Sequence, residues 1–500
     1  MRWFPLPLRL LLVALPALSA PAAPTPTPVT RPPNILFILT DDQGWASLSC
    51  YGGRHVPTPH LDTLARDGVR FTDAYVMPQC TPTRAALLSG QHTARNGMWH
   101  VIPWYGSPWA PVREPAFREQ FPRDAFNLAK GLRAAGYATA IAGKWHLTTG
   151  ADGDYTSLRP EAGSAYGFDY VAPRGPGTQN EGDKWVDHLT DQTLGFISRH
   201  RDRPWFAYLA HHTLHGKVSA PAALVAKYRA AGAPETGFHN ATYLAALEHL
   251  DHSVGRLLAG LDAMGQREHT LVVFTSDNGG VDTSWGPPAM SDDPADGSVP
   301  LRIRLQEYDQ APLRSGKGTP YEGGIRVPCL VRWPGVARAG HVSPEPIHVV
   351  DWLPTLLAAA GTRVPAGHVV DGIDLRPALT GGALPARALY WYLPLYDLRW
   401  AVTPCAVVRE GDWKLIEHFG DSFTDEVRYR PGRRLELFHL GSDLGEAEDR
   451  AAAEPARAAR MSAQLHGWIR SLAAEIPGPN PHADTTRRFT ESRVKQPWNQ

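Results

Sequence analysis

The residues best suited to chemistry begin at Cys80-Thr81-Pro82-Thr83-Arg84, which runs directly into Ala85-Ala86-Leu87-Leu88-Ser89-Gly90. Pro82 has no amide proton and a fixed φ, so it suits a first helical turn, and the Ala/Leu run after it is strongly helix-forming. Cys80 therefore falls where free backbone amides point outward. A helix N-terminus lowers a thiol's pKa and attracts anions, and Arg84 adds a permanent cation within one turn. The expected chemistry is nucleophilic attack at a site that favours bound negative charge. The competing reading is a buried cysteine that opens a core helix.

Other chemically capable residues recur at the ends of apolar runs. Asn34 to Leu39 is continuously apolar after its first residue, the pattern of a strand buried on both faces, and it ends in Thr40-Asp41-Asp42. Two adjacent carboxylates there must be solvated, paired or bound to a cation, so the segment reads either as a hard-metal site or as a helix N-cap or solvated turn. Tyr137 to Ala142 delivers Gly143-Lys144-Trp145-His146, and Pro204 to Ala210 delivers His211-His212-Thr213-Leu214-His215. Leu271 to Phe274 delivers Thr275-Ser276-Asp277-Asn278-Gly279. Open α/β sheets bind ligands beyond the carboxyl ends of their strands, so these groups are expected to converge on one crevice. The glycines around Lys317, in Ser315 to Gly324, give that lysine the freedom to approach an anion or form an ordinary turn.

The elements that must position these groups are an alternation of helices and strands. Helices are expected over Pro59 to Asp67, Asp124 to Ala135 and Tyr243 to Met264, with a strand over Val69 to Val76. An aromatic loop with Trp99, Trp104, Tyr105 and Trp109 either lines a substrate pocket or packs as a loop does. Val281 to Pro312 is Pro/Asp-rich and unpatterned, a surface insertion. Composition shifts near Gly381-Gly382. Beyond it, strands are expected at Leu389 to Leu393, Ala406 to Arg409, Trp413 to His418 and Leu435 to Leu440, and a helix from Pro455 to Ile476.

Arg2 and Arg9, the run Leu10 to Leu15, and the small residues Ala17, Ser19 and Ala20 outline a secretory signal peptide over 1–20. A Pro-rich leader follows over 21–33, then a catalytic domain over 34–382, a C-terminal subdomain over 383–478 and a disordered tail over 479–500. The protein is expected to be exported, periplasmic or secreted, with no stable membrane insertion. Lys+Arg and Asp+Glu are 50 each, so there is no basic field for nucleic acid. Of the four cysteines, Cys50, Cys329 and Cys405 remain beside Cys80 and allow at most one disulfide. Asn240-Ala241-Thr242 is a glycosylation sequon, meaningful in a eukaryotic secretory pathway.

The pattern of Cys80, Pro82 and Arg84 resembles the C-x-P-x-R signature of the sulfatase family, whose cysteine is oxidised to formylglycine. Asp41-Asp42, Gly143-Lys144-Trp145-His146, Asp277-Asn278-Gly279, Gly316-Lys317-Gly318-Thr319 and Leu435 to Leu440 fall in that family's order. The resemblance implies an α/β fold: a large alkaline-phosphatase-like domain with a mostly parallel central sheet flanked by helices, then a smaller α+β domain with an antiparallel sheet. It implies Ca2+, with Mg2+ as an alternative, held by Asp41, Asp42, Asp277 and Asn278 with an oxygen of the modified Cys80. These are hard oxygen donors.

The same resemblance implies roles for the remaining groups in hydrolysis of a sulfate ester. Hydrated formylglycine at position 80 would attack sulfur, with Asp277 assisting. Arg84 and His146 would orient it, Lys144 and Lys317 would neutralise sulfate oxygens, and His215 would protonate the leaving oxygen. Leu214-His215-Gly216-Lys217 departs from the family's usual Pro-His followed by Pro. The implied partners are a small-molecule or glycan sulfate ester and a formylglycine-generating maturation enzyme. The alternatives are a phosphate or phosphonate monoester hydrolase of the same superfamily, and an inactive relative that binds without catalysis.

Overall fold

The computed structural model describes residue 1 and residues 31–104, 106–286, 302–425 and 427–487. The expected signal peptide, most of the leader, Tyr105, the centre of the Val281 to Pro312 segment and the end of the tail lie outside the described residues.

The core is an eight-stranded sheet, and its strands are named here in chain order: β1 (Asn34–Thr40), β2 (Val69–Phe71), β3 (Ala138–Gly143), β4 (Tyr170–Val171), β5 (Trp205–Ala210), β6 (Thr270–Ser276), β7 (Cys329–Arg332) and β8 (His341–Ser343). Their spatial order is β8-β2-β7-β6-β1-β5-β3-β4. Strands β6, β1, β5, β3 and β4 run parallel, and β7 is antiparallel to both its neighbours. The expected mostly parallel α/β sheet is therefore observed. Strand β1 shows why its sequence carries no alternation: Ile35, Phe37 and Leu39 enter one core and Leu36 and Ile38 the other, all fully buried. Helices Cys80–Ser89, Leu128–Ala134 and Trp352–Ala359 cover the first face, and Pro59–Arg66, Val186–Arg199 and Ala241–Ala263 the second.

Several expectations need correction. Val69 to Val76 is not one strand; it breaks between β2 and the short strand Ala74–Tyr75, which pairs instead with Ile347–His348. The described ends of the Val281 to Pro312 segment are not unpatterned: Thr283–Gly286 and Arg302–Gln306 form an antiparallel ribbon. Residues 479–487, expected in a disordered tail, lie along the aromatic loop. Pro479 bridges to Val112, and Asn480 Nδ2 donates to Pro108 O and Ala110 O at 2.8 Å each. Polar residues serve here because the partners are loop carbonyls that need donors.

The C-terminal antiparallel sheet has four strands: Ala388–Leu393, Cys405–Glu410, Trp413–His418 and Arg434–His439. The second and third join through Gly411-Asp412, with Gly411 at φ 58°. Helix Pro455–Ser471 packs on this sheet through Ala458, Met461, Leu465 and Ile469. A buried ion network fastens the sheet to the main domain: Lys414 Nζ lies 2.9 Å from Glu322 Oε1 and 2.7 Å from Glu446 Oε1.

Candidate active site

The register of the central sheet brings four chain segments level at one edge. Thr40 pairs with Ser276, while Leu39 and Gly143 both pair with Ala210. Asp41, Asp277, His211 and Lys144 therefore each begin the chain beyond the sheet. Backbone bonds continue the alignment: Asp41 N–H donates to Thr213 O at 2.9 Å, Asp277 N–H to Thr40 O at 3.0 Å and Lys144 N–H to Ala210 O at 2.8 Å. Asp42 and His146 hold left-handed backbone at φ 59° and 52°, a strained conformation for residues with a Cβ. Both face the crevice, where the remaining groups gather.

Cys80 opens helix Cys80–Ser89 as the residue types require, and its Sγ lies 3.5 Å from Asp41 Oδ1 and 3.7 Å from Lys317 Nζ. Lys144 Nζ sits 2.5 Å from Asp41 Oδ2, and Lys317 Nζ 2.6 Å from Asp42 Oδ1. Arg84 is fully buried; Nε and Nη2 both reach Asp277 Oδ2, at 3.1 and 2.7 Å, and Nη1 donates to Lys144 O. Thr81 Oγ1 donates to His146 O at 2.8 Å, which ties the helix start to the turn after β3. His146 Nε2 donates to Ile102 O at 2.9 Å, and its Nδ1 is buried with no partner among the described residues. His215 Nδ1 donates to Gly216 O at 2.6 Å. All the site residues expected from sequence stand around one point. His211 is the exception in its neighbourhood, since it turns away toward Ser253.

The electrostatics correct one expectation. The helix start and Arg84 do not lower the Cys80 thiol; burial, together with Asp277 and Asp41, pushes it up despite Lys144 and Lys317. Arg84 pairs with Asp277 at 2.7 Å and approaches Asp41 to 4.0 Å. Burial opposes ionisation of Asp41, yet the permanent cations of Lys144, Arg84 and Lys317 outweigh it and hold that carboxyl well below the usual range. Burial, with Asp41 as a neighbour, raises Asp42 and lifts Asp277 to about 6. Burial, Lys317 and Lys144 push His215 well down, so its imidazole is neutral.

The ligand atoms of Asp41, Asp42, Cys80 and His215 lie within 4.8 Å of one another. Asn278 Nδ2 donates to Asp42 Oδ1 at 2.8 Å, and its Oδ1 is buried without a partner among the described residues. Clustered carboxylate oxygens beside an orphaned amide oxygen fit a hard divalent cation, so the residues present suit Ca2+ or Mg2+.

A cleft of about 890 Å³ opens over these groups. Among the described residues, the aromatic loop does not supply its rings. Trp99 packs on Tyr392, and Trp104 lies against His100 with the Arg399 guanidinium over it. The loop contributes Val101, Ile102 and Pro103 instead, and the lining rings are Tyr155 and Trp400. Sequence patterning missed both, because each is a lone aromatic in an irregular segment. Trp400 is held by backbone too close for a side chain: a Cβ on Gly318 would meet its ring at 2.2 Å. Glu307, also missed, lines the same cleft.

Comparison with known proteins bears on this geometry. Residues 33–362 match the family model described as Sulfatase, and residues 316–457 match N-sulphoglucosamine sulphohydrolase, C-terminal. Human arylsulfatase A is 34% identical over 427 residues, covering 77% of this chain and 75% of that protein. Canine N-acetylgalactosamine-6-sulfatase is 31% identical over 478 residues, covering 87% and 84%. Among solved structures, a phosphonate monoester hydrolase from Silicibacter pomeroyi superposes with a TM-score of 0.62 at 23% identity over 88% of this chain and 95% of that one, a likeness of fold.

Proposed function

The chain belongs to the sulfatase family and is a sulfuric ester hydrolase, and from that premise we propose a mechanism that begins with conversion of Cys80 to formylglycine by a maturation enzyme. The observation that carries this reading is the position of Cys80 Sγ on the cleft floor, 3.5 Å from Asp41 Oδ1 and 3.7 Å from Lys317 Nζ. A thiol pushed up by burial is a poor thiolate nucleophile. Hydrated formylglycine at that position supplies a hydroxyl nucleophile instead.

Asp41, Asp42, Asp277 and Asn278 would hold the cation, Ca2+ or Mg2+, and it would supply positive charge to offset that of the sulfate. Lys144 and Lys317, which pair with Asp41 and Asp42, are the ammonium groups that neutralise sulfate oxygens. Arg84 fixes Asp277 and the turn at Lys144, and His146 Nδ1, which has no partner among the described residues, accepts a hydrogen bond from a hydroxyl at position 80. His215 donates through Nδ1 to Gly216 O, so Nε2 is the nitrogen that takes up and delivers the leaving-group proton. Bound sulfate adds negative charge beside Lys317 and Lys144 and favours that protonation. The substrate is an aryl sulfate or a sulfated carbohydrate, met after export to the periplasm or beyond. Among the described residues no helix is long and apolar enough to cross a membrane.

The same fold also carries phosphonate ester hydrolysis, so the decisive assay sets kcat/KM for 4-nitrophenyl sulfate against that for 4-nitrophenyl phenylphosphonate. Preference for the sulfate, lost in Cys80→Ala, is expected. Preference for the phosphonate, or undiminished turnover in Cys80→Ala, would contradict the reading.

A further inference from the structure

Glu307 is 3% exposed, follows the ribbon strand Arg302–Gln306 and lines the cleft that holds Cys80. Its Oε2 is buried with no hydrogen-bond partner among the described residues. A carboxyl in that condition is costly, and one retained beside a binding cleft calls for a complement that arrives with the ligand. The backbone is held in place, since His239 N–H donates to Glu307 O at 2.8 Å. Oε1 lies 3.7 Å from where a Cβ on Gly216 would stand, so the carboxyl borders the turn that carries His215.

We propose that Glu307 determines specificity by hydrogen-bonding a hydroxyl on the leaving-group side of the sulfate ester, which makes the substrate a sulfated carbohydrate and not a plain aryl sulfate. Three observations converge on it. His215 is the group placed to protonate the leaving oxygen, and Glu307 borders its turn, so the carboxyl meets the alcohol portion and not the sulfate. Burial, with Asp42 nearby, raises Glu307 to about 8; at neutral pH it both donates and accepts, as a hydroxyl does, and it carries no charge to attract a second anion. Tyr155 and Trp400 line the same cleft, and aromatic rings are the side chains that pack on the apolar face of a sugar.

This inference rests on the sulfatase reading, and the test separates the two. The ring-position isomers of hexose monosulfate and 4-nitrophenyl sulfate are assayed with wild type, Glu307→Ala and Glu307→Gln. In Glu307→Ala, kcat/KM for the best hexose sulfate relative to 4-nitrophenyl sulfate should fall about tenfold or more. Glu307→Gln keeps a donor and an acceptor in the same volume, and its ratio should stay within about threefold of wild type. An unchanged ratio in Glu307→Ala, which includes equal loss on both substrates, overturns the inference, as does a wild type that cleaves 4-nitrophenyl sulfate and no hexose sulfate. If wild type cleaves no sulfate ester of either kind, the sulfatase reading itself fails and the inference falls with it.

Discussion

Lys317 Nζ contacts Asp42 Oδ1 at 2.6 Å and approaches Cys80 Sγ to 3.7 Å, so one buried ammonium touches both the nucleophile position and a carboxylate of the candidate metal site. Lys317 reaches this point from a glycine-flanked loop anchored by Lys317 N–H to Gly280 O and Gly318 N–H to Pro78 O. The loop therefore bonds on one side to the segment after Asn278 and on the other to the segment before Cys80.

Lys317→Met should lower kcat for a sulfate ester by about 100-fold or more, since a buried cation that offsets transition-state charge contributes on that scale. Circular dichroism should show an intact fold. Unchanged kcat would remove Lys317 from the mechanism.

Lys414→Met tests how the C-terminal sheet is fastened. Lys414 lies between Glu322 and Glu446, and Glu322 also accepts from Tyr75 Oη at 2.7 Å. Removing the lysine takes the cation from buried Glu446 and leaves Glu322 with Arg326, so urea denaturation should show a loss of about 3 kcal/mol. A loss under about 1 kcal/mol would mean that the network is not what joins the two sheets.

His92 predicts an acid limb in stability. It is packed between His348 and Trp468, ring centroids 4.9 and 5.4 Å away, and burial lowers it to about 4 despite Asp371. Between that value and the unfolded value near 6.5, the unfolded chain binds a proton that the native state does not, so stability falls as pH falls through this window, by about 3 kcal/mol in total. His92→Gln should flatten the decline in melting temperature over that range. An unaltered slope would show that other groups govern it.

The strand ends could be read in advance because each is a buried apolar run followed at once by residues that cannot be buried cheaply, as at Leu39 to Asp42 and Phe274 to Asn278. The parallel register then does the rest, since Thr40 pairs with Ser276 and Ala210 pairs with both Leu39 and Gly143. Glu307, Tyr155 and Trp400 could not be read that way. Their places depend on tertiary contacts: Glu307 on the ribbon Thr283–Gly286 with Arg302–Gln306, Trp400 on the close approach of Gly318. The Cys80 thiol was misjudged for a related reason. Local sequence shows the helix start and Arg84, but not the burial and the Asp277 carboxylate that dominate there.

If position 80 acts as formylglycine, the mass of the peptide spanning Cys80, from protein purified from its native host, will show it. Active protein should carry an aldehyde in place of the thiol. An unmodified cysteine in nearly all molecules of an active preparation would contradict it.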